Sequence, residues 1–291
     1  MIFLRGTVNA DASCRCFQGV SSRFNSSQRK IAMLKKNLLA VAIASAFALP
    51  GAVLAAEAAS PHTITGNLNF VSDYSFRGLS QTLEEPAIQG GFDYAHSSGL
   101  YLGTWGSNVS QSLFGPANME WDFYGGWAKT FGDFGVNVGA LLYYYPGGEP
   151  APSEKYDTTE IYVGGSWKWI SAKLSYAVSD FFGGNQTTFP ASFSDGSDGS
   201  MYIELNATYP INDAFSISAH IGQQTVEGTA PGVDLDYTDY KIGVNYLWSG
   251  FNFGLAYKDT DAVESNYTYL KGTESVFIGD AAVILSVGKT F

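Results

Sequence analysis

Cysteine is nearly absent from this sequence of 291 residues, which contains only Cys14 and Cys16. Both precede the export signal described below, so the chain has none from residue 57 onward. This absence excludes disulfide cross-links and thiolate chemistry from that part of the chain. It also suits a protein that crosses an oxidising compartment before it folds.

Basic residues are also scarce, and their distribution is uneven. Seven of the 16 Lys and Arg residues, but only one of the 27 Asp and Glu residues, precede residue 57. The remainder carries nine basic and 26 acidic residues, a formal net charge of −17. A chain this acidic repels nucleic acid, and no basic patch interleaved with aromatic residues is present. We therefore expect no nucleic-acid partner.

Long hydrophobic runs are missing apart from one near the start. From Met33, two lysines precede an apolar run over 38–49, and small residues follow it before Glu57. This order is typical of a secretory signal peptide, and the run is shorter than the roughly 20 residues that a membrane helix needs. We predict a signal peptide over 33–56. Residues 1–32 are then a leader that results from a start codon assigned too far upstream.

The rest of the chain contains repeated alternation of apolar residues with polar or small ones. The mean hydropathy is −0.01, and the sequence has 33 Gly, 18 Tyr and 20 Phe residues. Strands that are apolar on one face only produce such a diluted hydropathy signal. We predict twelve strands, at 63–76, 87–95, 100–109, 118–130, 133–146, 156–169, 171–182, 199–210, 214–225, 236–248, 251–259 and 280–291.

The predicted connections alternate in length. The long ones are 77–86, 146–155, 183–198, 226–235 and 260–279. Short periplasmic turns alternating with longer extracellular loops are the plan of bacterial outer-membrane barrels. We therefore predict an all-β fold over 57–291, a transmembrane antiparallel up-and-down β-barrel of about 12 strands.

Aromatic residues gather beside the predicted strand ends, where amphipathic rings would meet the headgroup level of a bilayer. The group beside the short turns comprises Trp127, Phe131, Phe134, Trp167, Trp169, Tyr209, Trp248 and Phe251. The group near the long loops comprises Tyr74, Phe76, Trp121, Tyr144 and Phe181. We expect these two groups to form two belts around the barrel.

The final strand alternates and ends in an aromatic residue. Val283, Leu285 and Val287 share the parity of Phe291, which resembles the carboxy-terminal signature of outer-membrane proteins. From this signature we expect the barrel-assembly machinery to bind the end of the chain at Phe291. The bacterial outer membrane is then the predicted location, and its lipid a predicted partner.

Three segments resemble the TorF-type porin family of proteobacteria. They are 70–82 (FVSDYSFRGLSQT), which is the most specific, 141–147 (LLYYYPG) and 237–243 (YTDYKIG). The resemblance covers essentially all of 57–291 and implies an outer-membrane barrel with the role of a porin. It implies no catalytic or ligand-binding residues.

If the apolar parity of each strand faces lipid, the other parity lines the lumen. The charged residues predicted there are Asp73, Arg77, Glu120, Asp122, Glu160, Lys173, Glu204, His220, Asp239 and Lys241. Small residues between them leave space for ions or small polar solutes, whose passage is the function we predict. Acids are in slight excess, which favours a mild cation preference. A salt-bridge network that only holds the wall is the alternative role for these residues.

Two other functions remain open at this point. A barrel enzyme of the lipase or protease type needs a nucleophile beside a positioned His, and only His62, His96 and His220 exist. No Gly-x-Ser-x-Gly motif occurs, so we predict no enzyme and no cofactor. A structural or adhesive barrel, closed by loops 183–198 and 260–279, is the third hypothesis. Acidic residues such as Asp195 and Asp198 do not have the spacing of an EF-hand.

Overall fold

The computed structural model describes residues 60–291, which form 16 β-strands, twelve of them in one closed barrel. The predicted leader and signal peptide lie outside the described residues. The barrel strands are β1 His62–Val71, β4 Ala87–His96, β5 Leu100–Asn108, β6 Met119–Phe131, β7 Phe134–Tyr144, β8 Thr158–Trp167, β9 Ile170–Ala177, β10 Met201–Pro210, β11 Phe215–Thr225, β12 Tyr237–Trp248, β13 Phe251–Thr260 and β16 Ala282–Thr290.

Every strand of the barrel pairs with its neighbours in the sequence order of the barrel strands, and all the pairs are antiparallel. The first and last strands close the ring, with Asn67 opposite Thr290 and Val71 opposite Ser286. On its other side, Val71 pairs with Ala87 of β4. The predicted all-β barrel of twelve antiparallel strands is thus confirmed.

The two ends of the barrel differ in their connections. At one end, here called the turn end, the strands are joined by short turns such as Gly132 to Asp133 and Ser249 to Gly250. At the other, the loop end, the connections contain two small hairpins, β2 Ser75–Phe76 with β3 Leu79–Ser80, and β14 Thr268–Lys271 with β15 Glu274–Phe277. A single helical turn, Gln111–Phe114, lies between β5 and β6. In residues 60–291 no helix is long and apolar enough to cross a membrane.

Exposed and covered side chains alternate along the barrel strands, most regularly on β8, β11, β12 and β13. On β12, Ile242 and Val244 are exposed while Asp239 is buried, and on β10, Ile203 is exposed while Glu204 is buried. The exposed parity is almost entirely apolar, whereas the covered parity contains the charged and small residues. Such a distribution is the reverse of that in a water-soluble protein.

Two sequence predictions need correction here. The first strand ends at Val71 rather than at residue 76, so Asp73 and Arg77 are not strand residues. Alternation does continue through 72–76, but the chain turns there into the separate β2–β3 hairpin. Tyr74 and Phe76 are buried and do not belong to an outer aromatic belt, whereas Trp167, Trp248 and Phe134 at the turn end are exposed.

Candidate functional site

The connection between β1 and β4, residues 72–86, folds into the barrel and is here called the inserted segment. From Asp73 to Leu83 all but one of its residues are buried, the exception, Ser75, being half-buried. Its side chains contact inward residues on strands β6, β8, β10 and β11, none of which is a neighbour of β1 in the ring. The loop-end part of the lumen is therefore filled by the chain itself.

A tight hairpin forms the tip of the inserted segment. Arg77 and Gly78 occupy its two turn positions with φ of 46° and 81°, between the paired residues Phe76 and Leu79. A two-residue turn with positive φ at both positions is the tightest link between antiparallel strands. It places Arg77 at the point of the hairpin, directed away from β1.

Side chains from three strands on the far side of the lumen from β1 hold the guanidinium of Arg77. Its Nη2 donates to both carboxylate oxygens of Glu160 on β8, at 2.9 and 2.7 Å, and its Nη1 donates to Oε1 of Gln224 on β11 at 2.8 Å. The guanidinium carbon lies 4.3 Å from the ring centroid of Tyr202 on β10. These contacts fasten the hairpin across the lumen.

The charge of Arg77 is secured by its surroundings. Desolvation by burial acts to lower its pKa, but the attraction of Glu160, its hydrogen bonds to that carboxylate and the nearby Tyr143 and Tyr202 hydroxyls together raise the pKa above the ordinary value. The guanidinium therefore stays protonated, as Arg does throughout proteins. A buried ion pair of this kind stabilises its arrangement only while both partners are present.

Other inserted side chains also have polar partners, although Oδ2 of Asp73 is buried without a hydrogen bond among the described residues. Tyr74 donates to Glu120 of β6 at 2.8 Å, and Tyr145, which follows β7, donates to the other oxygen of that carboxylate at 2.7 Å. Within the segment, Asp73 accepts hydrogen bonds from Ser80 at 2.6 Å and from Thr82 at 3.0 Å. The segment is thus an ordered plug with its own internal bonds.

Asp122 lies two residues after Glu120 on the same face of β6. Its side chain is buried, with 6% of the residue exposed, and its Oδ1 has no hydrogen-bond partner among the described residues. The neighbouring acids Glu120 and Glu160 already have tyrosine or arginine partners. Asp122 is consequently the least compensated acid of this wall.

The opposite wall, β9 to β12, carries both signs of charge. Lys173 lies 2.8 Å from Glu204. His220 lies between Asn206 and Asp239, with ring nitrogens 2.7 Å from Asn206 Oδ1 and 2.8 Å from Asp239 Oδ1. The Nε2 atom of His220 also lies 3.0 Å from the hydroxyl of Tyr202, which donates to Oδ2 of Asp239 at 2.7 Å. A wall-holding role for these residues stays a prediction.

The inward charges are segregated around the ring. Strands β4 to β8 contribute only acids, namely Asp93, Glu120, Asp122 and Glu160, whereas β9 to β13 contribute Lys173, Glu204, His220, Asp239, Lys241 and Lys258. Arg77 is brought to the boundary between the two groups.

Sequence reasoning missed two of the residues that hold Arg77, namely Gln224 and Tyr202, because uncharged partners on distant strands leave no local pattern. An isolated Arg-Gly pair within an alternating run was the available signal.

Toward the turn end the covered parity changes in character. It consists mostly of small uncharged residues that are only partly covered, including Thr65, Gly103, Gly126, Gly139, Gly164, Ser171, Thr208, Ser218, Gly243 and Gly254. Asp93 is a charged member of this group and accepts a hydrogen bond from Tyr124 at 2.6 Å. No group of three or more His, Cys, Asp or Glu side chains in the described part of the chain is arranged to hold a metal ion.

Comparison with protein families gives one assignment. Residues 55–291 match the model of Gcw_chp, described as a bacterial protein family of unknown function. The chain belongs to this family. No curated protein matches the sequence. The resemblance to TorF-type porins stays a prediction, because the matching family does not carry that name.

Solved structures similar to this Gcw_chp member include three barrels. The KdgM porin shares 9% identity at a TM-score of 0.46, covering 78% of this chain and 98% of its own. The NanC porin shares 13% at 0.46, covering 79% and 99%, and the COG4313 outer membrane channel from Pseudomonas putida F1 shares 11% at 0.39, covering 81% and 97%. Likeness at this level carries no argument about function.

Proposed function

We propose that this Gcw_chp protein is an outer-membrane channel for the passive passage of ions or small polar solutes, with a mild preference for cations. The observation that supports it most is the division of the barrel wall into an apolar outer parity and a polar inner parity. A closed antiparallel ring leaves no unpaired strand edge, which is the condition for a sheet to stand in lipid.

The outer surface supports insertion into a bilayer. Ile64, Phe92 and Ile242 are 74%, 60% and 63% exposed. Exposure of such apolar side chains to water costs free energy, and contact with the hydrocarbon of a bilayer removes that cost. Exposed aromatic residues at the turn end include Phe134 and Trp248, where a headgroup belt is expected. The outer membrane as location, its lipid as partner and recognition of Phe291 by the barrel-assembly machinery belong to the same proposal.

The inner surface supports the cation preference. The wall from β4 to β8 presents acids without any inward basic residue, and Asp122 has no cation partner at hydrogen-bond distance there. Acidic linings favour cations in aqueous pores. The lysines of the opposite wall are close to acids, which limits the field that they direct at a passing anion.

Conductance of the purified protein in planar bilayers tests this proposal, with a salt gradient to measure selectivity. We expect small conductance steps and a reversal potential of the sign that cation preference requires. A reversal potential of the opposite sign would remove the cation preference. Absence of conductance from both the parent and the segment-replaced variant described in the Discussion would contradict the channel.

A structural or adhesive barrel is the second candidate, because the inserted segment closes the loop end. The sequence suggested that loops 183–198 and 260–279 close the barrel, but the inserted segment takes part as well. Loop 260–279 contributes the carbonyl of Ile278, which accepts hydrogen bonds from the Ser80 amide and from Lys258. A plug that never leaves would produce no current in any variant that keeps the segment. The same bilayer recordings therefore distinguish the two functions.

A further inference from the structure

We propose that the barrel wall contains a binding pocket for a guanidinium cation, which Arg77 fills as a tethered occupant and which a guanidinium-bearing solute can occupy when Arg77 leaves. The pocket consists of Glu160, Gln224 and Tyr202 and is here called the guanidinium pocket. This inference rests on the proposed channel function and adds to it a class of ligand.

The pocket belongs to the wall and not to the segment that fills it. Glu160, Gln224 and Tyr202 lie on three strands of the closed sheet and are 2%, 0% and 3% exposed. The Gln224 amide is oriented by its own donations to the carbonyls of Met201 and Thr225, at 3.1 and 3.0 Å. Its oxygen is thereby turned toward the lumen whether or not Arg77 is present.

The chemistry of the pocket selects a planar cation with several N–H donors. A carboxylate supplies two acceptors, an amide supplies a third, and the Tyr202 ring offers a face 4.3 Å from the guanidinium carbon. Guanidinium is weakly hydrated, stacks on aromatic faces and presents donors in a fixed fork, whereas an ammonium is a compact and strongly hydrated charge. The pocket therefore favours guanidinium over ammonium.

The backbone conformation at Arg77 disfavours arginine, which indicates that the contacts of its side chain, and not the turn, require arginine at this position. Its φ of 46° is a conformation that Asn and Gly adopt far more readily than Arg, and Asn-Gly is the preferred pair for such a turn. Arg77 is also the only arginine after residue 56. The turn thus carries an unfavourable residue at the one position from which the pocket is filled.

This backbone preference supplies the test variant. Arg77→Asn empties the pocket while it gives the hairpin a more favourable turn, so the variant is expected to fold. Arg77→Asn/Glu160→Gln empties the pocket and removes its charge. Lys271→Ala serves as the matched control, since Lys271 contacts the inserted segment through the Leu83 carbonyl and Glu85 but is outside the pocket.

The experiment measures bilayer conductance during titration with methylguanidinium chloride, and with methylammonium chloride at equal ionic strength. We expect Arg77→Asn to conduct more than the parent and methylguanidinium to reduce that current saturably, with a several-fold weaker effect of methylammonium. The double variant and Lys271→Ala should show no such selective block. Equal block by the two cations, or block that survives Glu160→Gln, would overturn the inference.

Thermal unfolding of the same variants in detergent provides a readout that does not need current. Methylguanidinium at millimolar concentration should raise the Tm of Arg77→Asn above its value in methylammonium and should not raise that of the double variant. If this selective shift occurs without conductance in any variant, the pocket stands and the channel function fails. If conductance occurs without the selective shift, the pocket inference is overturned and the channel function stands.

Discussion

The two halves of the lumen are lined by the same strands but are built in different ways. Toward the loop end, inward residues such as Thr158, Ser175 and Gln224 are at most 2% exposed. Connecting segments fold over this half: Arg77 of the inserted segment bonds to Gln224, and Phe182 of the β9–β10 connection bonds to Thr158. Toward the turn end, inward residues such as Gly164 and Ser218 are small and only partly covered. One half is packed like a protein core. The other, here called the vestibule, is lined mainly by small, partly covered residues, although Tyr101 and Asn137 on β5 and β7 are buried and hydrogen-bonded to each other.

The difference indicates that the number of strands does not by itself set how much of the lumen is open. A ring of twelve strands is wider than one of eight, whose interior side chains nearly fill it. Here a connection of 15 residues, 72–86, occupies part of that additional space toward the loop end. Resistance to passage should therefore reside in the inserted segment and its fastenings, while the strands supply the charge.

Replacement of 72–86 by a short turn should have the largest effect. Val71 and Ala87 are directly paired, so a turn of about two to four residues can join β1 to β4 without any change of register. We expect single-channel conductance to rise several-fold because the loop-end half then resembles the turn-end half. An unchanged conductance would show that the segment does not limit passage.

Separation of Arg77 from Glu160 should have the next largest effect, on stability. Removal of one partner of a buried ion pair typically costs about 3–5 kcal/mol, because the other charge stays buried and unpaired. Glu160→Gln should therefore lower the Tm of the protein in detergent, and a second substitution, Arg77→Asn, should recover part of the loss. Additive losses in the double variant would contradict direct coupling across the lumen.

Asp122→Asn tests the difference in charge between the wall of β4 to β8, which contributes only acids, and the wall of β9 to β12, which carries both signs. The comparison is made in the variant without 72–86, where ions can approach this wall. One unit charge at about 4 Å is worth about 1 kcal/mol even in water, so loss of this carboxylate should then reduce cation preference several-fold. In a salt gradient the reversal potential should move toward zero. Lys241→Met on the opposite wall should move it the other way, and a shift of the same sign in both variants would refute the proposed role of wall charge.

Loss of the ion pair between Lys271 and Glu85, at the outer end of the inserted segment, should have the smallest effect on stability and conductance. Lys271 lies 2.5 Å from Glu85, but both side chains are substantially exposed, and solvent screens such pairs so that they contribute little to stability. Lys271→Ala should lower the Tm only slightly and leave the conductance near that of the parent. A loss as large as that of Glu160→Gln would place the main fastening at the loop-end surface instead of in the lumen.

Much of the wall could be predicted from the sequence, because alternation is a local property. Runs such as Phe251 to Tyr257 show directly which residues share a face, and the number of barrel strands followed from them. The first strand was predicted too long for the same reason. Alternation through Ser72 to Phe76 is equally compatible with a strand and with a hairpin that turns inward.

The centre of the site could not be predicted, because its contacts are far apart in the sequence. Arg77 meets Glu160 and Gln224 at separations of 83 and 147 residues. Which inward residues of a barrel meet a given loop depends on the path of that loop, and a local pattern contains no information about it. Parity alone indicated that Glu160 faces inward but not that Arg77 crosses the lumen to it.

Accessibility of single cysteines tests the central claim most directly, since replacement of Cys14 and Cys16 leaves a chain without thiols. In that background, Ser218→Cys in the vestibule and Ser175→Cys in the buried loop-end half, where it pairs with Tyr202, are each exposed to a charged thiol reagent in a bilayer. The account predicts fast modification at position 218 and protection at 175, with protection lost when 72–86 is replaced by a short turn. Equal modification at both positions in the intact chain would contradict it.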